Sequence, residues 1–183
     1  MSESMNRRDA MGIAVGACAA VGGVFALGGA KKAWDPLPSV KATGSTIVDL
    51  AACETNTLYT EMWRGKPIFI MKKPQEIVEA SSSNDKARDV VINGDHFLVA
   101  IGLCTHLGCI PSYRKKKKDF LCACHGATYD MSAINTKAPA PLPLKIPPFR
   151  VDGMNLVLGE EGPEYTKMKE AGVLGDKALD PKA

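Results

Sequence analysis

The chain is expected to fold as a mainly β protein, mostly antiparallel, with metal-binding loops inserted between strands, carried on a single N-terminal helix. Three observations predict this. Short apolar runs punctuated by Asn-Gly and Asp-Gly pairs recur between residues 46 and 158. One uncharged stretch of twenty-one residues, Ala10 to Ala30, precedes them. Four of the six cysteines and two of the three histidines crowd into two short segments, 104–109 and 122–125.

The uncharged stretch is rich in Gly, Ala and Val. At ~1.5 Å per residue it makes a helix of ~31 Å, the thickness of a hydrocarbon core of ~30 Å. Arg7 and Arg8 stand directly before it, within residues 1–9. That placement reads as a twin-arginine export signal, a route for chains that fold before export. Lys31 and Lys32 flank the far end, so loop charge does not set the orientation. The export signal does: N-terminus inside, globular part on the outer side of a bacterial cytoplasmic membrane. Gly28-Gly29-Ala30 has the small residues of a cleavage site, but residues 10–30 are long enough to stay as a single-pass anchor in membrane lipid. Cys18 falls inside this run as a small lipid-facing residue.

Residues 31–45 lack periodicity and read as a linker, with Trp34 at the membrane interface. Pro36 and Pro38 stiffen its first half, leaving Thr43 to Ser45 more flexible. Strand character follows at Thr46–Asp49, Leu58–Trp63 and Pro67–Met71, with Arg64-Gly65-Lys66 as the turn between the last two. Cys53 is expected to be a small buried residue. Pro74 to Arg88 reads as one short helix broken at Ser81-Ser82-Ser83. Val90–Ile92 and His96–Ile101 flank Asn93-Gly94-Asp95, a hairpin signal. His96 has no second ligand nearby and reads as structural or exposed. Val151 to Leu158 makes another hairpin around Asp152-Gly153. Residues 160–183 mix charges with few apolar side chains and read as a tail, with a short helix at Tyr165–Ala171.

About 150 residues remain after the anchor, enough for one core. The formal charge of +3 is small and no basic-aromatic stripe points to nucleic acid. Arg114 to Lys118 is a local exception, either a solvated turn or a docking patch for an acidic protein or an anionic lipid surface.

Cys104-Thr105-His106-Leu107-Gly108-Cys109 and Cys122-Ala123-Cys124-His125-Gly126 carry the chemistry. Cys-x-His and Cys-x-x-His arms supply a tetrahedral zinc set, or the two thiolates and two imidazoles of a mixed-ligand [2Fe–2S] cluster. Against zinc, two further cysteines lie beside the ligands and would have to be withdrawn by oxidation. A pure disulfide framework leaves both histidines without a task.

The two segments resemble the cluster boxes of the Rieske family, and the resemblance extends over nearly the whole chain. Ile101-Gly102-Leu103 leads into the first box as in the subunits of quinol–cytochrome c reductase, the cytochrome bc complex. Trp63 to Pro67 resembles a run of the family's base fold, and Ala138-Pro139-Ala140-Pro141 its Gly-Pro-Ala-Pro loop. The resemblance implies a Rieske-type antiparallel β sandwich over residues 46–159, with a cluster-binding part at about 103–147. It implies one [2Fe–2S] cluster per chain, held by Cys104 and Cys122 on one iron and His106 and His125 on the other. It further implies a Cys109–Cys124 disulfide, whose loop of about fifteen residues gives roughly 3 kcal/mol in the chain-entropy model. Leu107 would shield the cluster, Gly126 and Pro139 would line it, and residues 31–45 would be the hinge on which the head swings.

Implied partners are cytochrome b, a c-type cytochrome and quinol, in a dimeric respiratory complex. His125, with His106 beside it, would take the quinol hydrogen bond and proton. The cluster would then pass its electron to the c-type cytochrome. A Rieske subunit of an arsenite oxidase is the other reading within the family. Two departures stand out. Ala138 replaces the loop's first glycine, removing backbone freedom. Ala127 replaces the serine that precedes Tyr129 by two residues in high-potential members. Hydrogen bonds to sulfur stabilise the reduced cluster, so one fewer donor lowers the potential and points to menaquinol. Thr128 compensates only if its hydroxyl turns inward.

Overall fold

The computed structural model describes residues 6–35 and 44–179. The chain divides into two units, residues 1–42 and 43–183.

The first unit contains one helix, α1 (Arg7–Trp34), with no side chain buried within the chain. It is long and apolar enough to cross a membrane. A helix that is apolar all round and uncovered by protein suits lipid rather than water. It exceeds the uncharged stretch at both ends. Arg7 and Arg8 enter its first turn, and Lys31 and Lys32 sit in its last turn, where cations complement the helix dipole. The expected linker therefore loses Lys31 to Trp34 to the helix, because no breaker occurs before Pro36. Pro36, Pro38 and Thr43 lie outside the described residues.

The second unit is built from three antiparallel sheets. The first contains β1 (Thr46–Asp49), β10 (Phe149–Asp152) and β11 (Asn155–Leu158), in the order β1-β11-β10. The second contains β2 (Tyr59–Trp63), β3 (Lys66–Lys72), β4 (Val90–Ile92) and β5 (Asp95–Ile101), in the order β2-β3-β5-β4. The third contains β6 (Ser112–Arg114), β7 (Asp119–Leu121), β8 (Thr128–Tyr129) and β9 (Asn135–Lys137), in sequence order. This third sheet belongs to the inserted region and was not legible as strands. Its members are two or three residues long, too short to show a period.

Side chains alternate across a strand, and the central sheet uses both faces. Ile68, Ile70, Phe97 and Val99 face a first core shared with Val48, Phe149, Leu156 and Leu158 of the first sheet. Phe69, Met71, Leu98 and Ala100 face a second core with Phe120, Tyr129, Cys104 and Cys122. This explains why Pro67–Met71 is apolar at every position rather than at alternate ones. The inserted region contributes to the second core between Cys104 and Leu144, whereas Ile146 already belongs to the first.

The hairpin turns follow their sequence signals. Asn93 (φ 52°) and Gly94 (φ 85°) take the two left-handed positions of a type I′ turn, as do Arg64 (φ 48°) and Gly65 (φ 72°). The segment read as one broken helix forms two, α2 (Gln75–Ala80) and α3 (Ser83–Ala87). They are separated because Ser82 and Asp85 make a capping box that starts the second. Cys53 is buried in the first core. The segment read as a tail does more than trail. α4 (Pro163–Glu170) and the residues after it bury Tyr165, Met168, Val173 and Leu174 in the first core. Tyr165 and Met168 lie three residues apart on α4, and Val173 and Leu174 follow it.

Candidate metal centre

β5 delivers the first box. Its exit passes over Gly102, where a Cβ would lie 2.4 Å from the Phe69 ring, so a side chain would push the box away from the second core. The two boxes are then closed by the same backbone device. In the first, Cys104 N donates to Cys109 O (2.7 Å) and Gly108 N donates to Cys104 O (2.8 Å). In the second, Cys122 N donates to Ala127 O (2.8 Å) and Gly126 N donates to Cys122 O (2.9 Å). Gly108 (φ 82°) and Gly126 (φ 78°) both take left-handed backbone, which a Cβ would strain. Two loops of one geometry thus each start on a buried cysteine and end on a glycine-supported turn.

The disulfide implied by the resemblance is formed: Cys109 is bonded to Cys124 across the two loops. That leaves Cys104 and Cys122 as free thiols, 3% and 2% exposed. Their side chains hydrogen-bond to each other. Burial pushes the Cys104 thiol up, but bonds from the Tyr129 hydroxyl, the His106 and Leu107 backbone and the Cys122 thiol outweigh it, and it ends below an ordinary thiol. Burial, then donation to Cys104, pushes Cys122 up. Anionic character therefore concentrates on Cys104. The His106 and His125 rings lie edge to face, with centroids 4.8 Å apart. His125 is exposed and His106 half-buried.

The surroundings are ordered by Tyr129 and Thr105. The fully buried Tyr129 donates to Cys104 Sγ at 3.2 Å and accepts from Thr105 N at 3.0 Å. Burial, and then donation to the Cys104 sulfur, pushes its own pKa up to about 12. Thr105 Oγ1 donates to Leu142 O at 2.6 Å and ties the first box to the segment after the proline loop. Sequence reasoning assigned Thr105 no role; its place between two ligand candidates was the available signal. Ala127 is 1% exposed. Thr128 Oγ1 pairs instead with Thr136 Oγ1 at 2.8 Å, at an exposed position, so it does not replace the missing hydroxyl. Leu107 is 71% exposed beside the first box. Pro139 is exposed and follows a cis peptide bond, and Ala138 does not take left-handed backbone. His96 is structural: its Nδ1 lies 2.9 Å from Oδ2 of the buried Asp89, which also pairs with Lys73. Arg7 and Arg8 lie on α1, outside this unit.

Residues 57–148 match the Rieske [2Fe-2S] domain family. The ubiquinol-cytochrome c reductase iron-sulfur subunit of Rickettsia felis is 37% identical over 159 residues, covering 81% of this chain and 89% of that one. The protein of the same name from Bradyrhizobium diazoefficiens is 40% identical over 156 residues, covering 79% and 88%. The chain belongs to the family of Rieske iron–sulfur subunits of cytochrome bc complexes. Among solved structures, a chain of a hyperthermophilic respiratory Complex III is similar with a TM-score of 0.57 and 29% identity, over 79% of this chain and 98% of that one.

A Rieske-type [2Fe–2S] cluster is the cofactor of this family. The donor set of this Rieske chain fits it. Two adjacent buried thiols and two adjacent imidazoles are carried on twin loops, and oxidation has withdrawn the other two cysteines of the boxes.

Proposed function

We propose that this chain is the electron-transfer subunit of a membrane quinol–cytochrome c oxidoreductase, working with a cytochrome b and a c-type cytochrome in a dimeric complex. The observation that carries the proposal is the pairing of Cys104 with Cys122 and of His106 with His125 on two like-built loops. The names of the bacterial relatives, ubiquinol-cytochrome c reductase iron-sulfur subunits, support the same partners and reaction. Nothing favours an arsenite oxidase. The twin-arginine pair supports a cytoplasmic N-terminus and a head outside the cytoplasmic membrane.

Cys104 and Cys122 would hold one iron, and His106 and His125 the other. When bound, the cluster supplies a one-electron acceptor whose imidazole ligands couple reduction to protonation. The chain's own residues do the rest. His125, exposed at the loop tip, presents a ring nitrogen to the quinol hydroxyl, with His106 beside it. Tyr129 stabilises negative charge on the Cys104 sulfur by donating a hydrogen bond to it. Gly108 and Gly126 let the loop backbones close tightly over the two thiols.

The quinol follows from the hydroxyl count. Ala127 offers no donor and Thr128 is engaged with Thr136, leaving Tyr129 as the side-chain hydroxyl on sulfur. One fewer donor lowers the midpoint potential and suits menaquinol, although the relatives are named for ubiquinol. A redox titration of the full-length chain, followed by low-temperature electron paramagnetic resonance, tests both levels. A reduced-state signal of low average g, with a pH-dependent midpoint, is expected. A silent spectrum with stoichiometric zinc overturns the electron-transfer reading, and a midpoint in the ubiquinol range overturns menaquinol.

A further inference from the structure

The turn between β6 and β7 carries Lys115-Lys116-Lys117-Lys118, a composition with no turn-forming residue. It is nevertheless held rigidly. Arg114 and Asp119 close its stem by a two-point ion pair, Arg114 Nε lying 2.7 Å from Asp119 Oδ1. Lys117 N and Lys118 N both donate to Arg114 O, at 2.9 and 2.8 Å. Lys118 takes left-handed backbone (φ 53°), where Gly or Asn would be unstrained, and its ammonium is latched to Glu76. The two flanking cations are thus neutralised. The three between them are exposed, with no ion-pair partner among the described residues. A solvated turn needs neither the strain at Lys118 nor three like charges on consecutive residues. This hairpin trades turn chemistry for charge.

We propose that the Lys115–Lys117 tip is a docking surface for anionic lipid headgroups. Connectivity tethers the head that carries this tip to the membrane-spanning helix. Nine peptide steps join Asp35, at the end of α1, to Gly44, at the start of the head, a tether of at most about 30 Å. Lys31 and Lys32, in the last turn of α1, directly precede that tether and attract anionic lipid. The stem already holds the backbone of the three lysines, so binding such a surface orders their side chains alone. The tip belongs to the sheet that carries the second box, and β7 runs from Asp119 to Leu121 directly before Cys122. Holding the tip therefore biases where the boxes reside. This rests on the membrane anchor and not on the redox reading.

Lysine acylation footprinting of the full-length chain in nanodiscs tests it, comparing pure phosphatidylcholine with discs containing about one-third phosphatidylglycerol. Lys115, Lys116 and Lys117 are expected to react about threefold or more slowly in the anionic discs, with the difference erased at about 0.5 M salt. Exposed Lys66 and Lys137 serve as controls and should not change. Equal rates in both discs would overturn the proposal and return the hairpin to a solvated turn. Protection of equal size in both lipids, present only with partner subunits assembled, would overturn it in favour of an acidic protein surface.

Discussion

Arg88 Nη2 donates to the carbonyl of Leu144 at 2.6 Å, joining the end of α3 to the last residue of the core that holds the free thiols of Cys104 and Cys122. The same guanidinium donates to Ser132 O at 2.9 Å and to Val173 O. A 1% exposed cation thereby satisfies three carbonyls from three distant segments. It also pins the inserted region to the C-terminal segment.

Arg88→Met is expected to leave those carbonyls unpaired, at about 1–3 kcal/mol each, and so to destabilise the head by roughly 3 kcal/mol or more. Arg88→Lys recovers only part, because one ammonium lacks the planar fork. Urea unfolding of the two variants, followed by Trp63 fluorescence, measures the difference.

Tuning by hydroxyls is separable from folding. Ala127→Ser adds a donor beside the boxes and is expected to raise the midpoint potential. Tyr129→Phe removes the donor to Cys104 and lowers it. A hydrogen bond of about 1.4 kcal/mol corresponds to about 59 mV for one electron, which sets the scale of both shifts. Protein-film voltammetry on the two variants and the parent reads them directly.

Asp130 predicts a pH dependence. Burial pushes its carboxyl up to about 6 from an ordinary 3.8, against bonds from the Ile134 and Ser132 amides, with Asp85 nearby adding to the rise. Between these two values the folded chain holds a proton that the unfolded chain has released. Stability from this group is therefore greatest below the lower value and falls as pH rises toward 6, by about 3 kcal/mol in all. Asp130→Asn keeps the Oδ1 acceptor and removes the titration. Its stability relative to the parent should rise between about pH 4 and pH 6 and then level off, as read from urea midpoints.

Removing the disulfide tests what steadies the loops. Cys109→Ala with Cys124→Ala is expected to cost about 3 kcal/mol, the chain-entropy value for a loop of this length. Bleaching of the visible cluster absorbance should then occur at lower temperature than loss of far-ultraviolet ellipticity. Coincident transitions, at the parent's temperature, would show that the bond contributes nothing to the boxes.

Legibility divided by range. The anchor, the Asn93-Gly94 hairpin, the strands at Thr46–Asp49 and Pro67–Met71, and the two boxes each rest on patterns within about twenty residues of sequence. Uncharged length, turn dipeptides and paired soft ligands are local properties, and they identified the family from the residues alone. The inserted sheet escaped because strands such as Thr128–Tyr129 take their conformation from neighbours rather than from their own sequence.

Where polar groups find partners was settled by long-range packing. Thr128 points to Thr136 and not to sulfur; Thr105 reaches Leu142; Arg88 spans Ser132, Leu144 and Val173; and Tyr165 to Leu174 close the first core instead of trailing from it. Each of these depends on chain segments brought together by burial of apolar faces. A buried donor must then take whichever acceptor the packing supplies, and the local sequence does not name it.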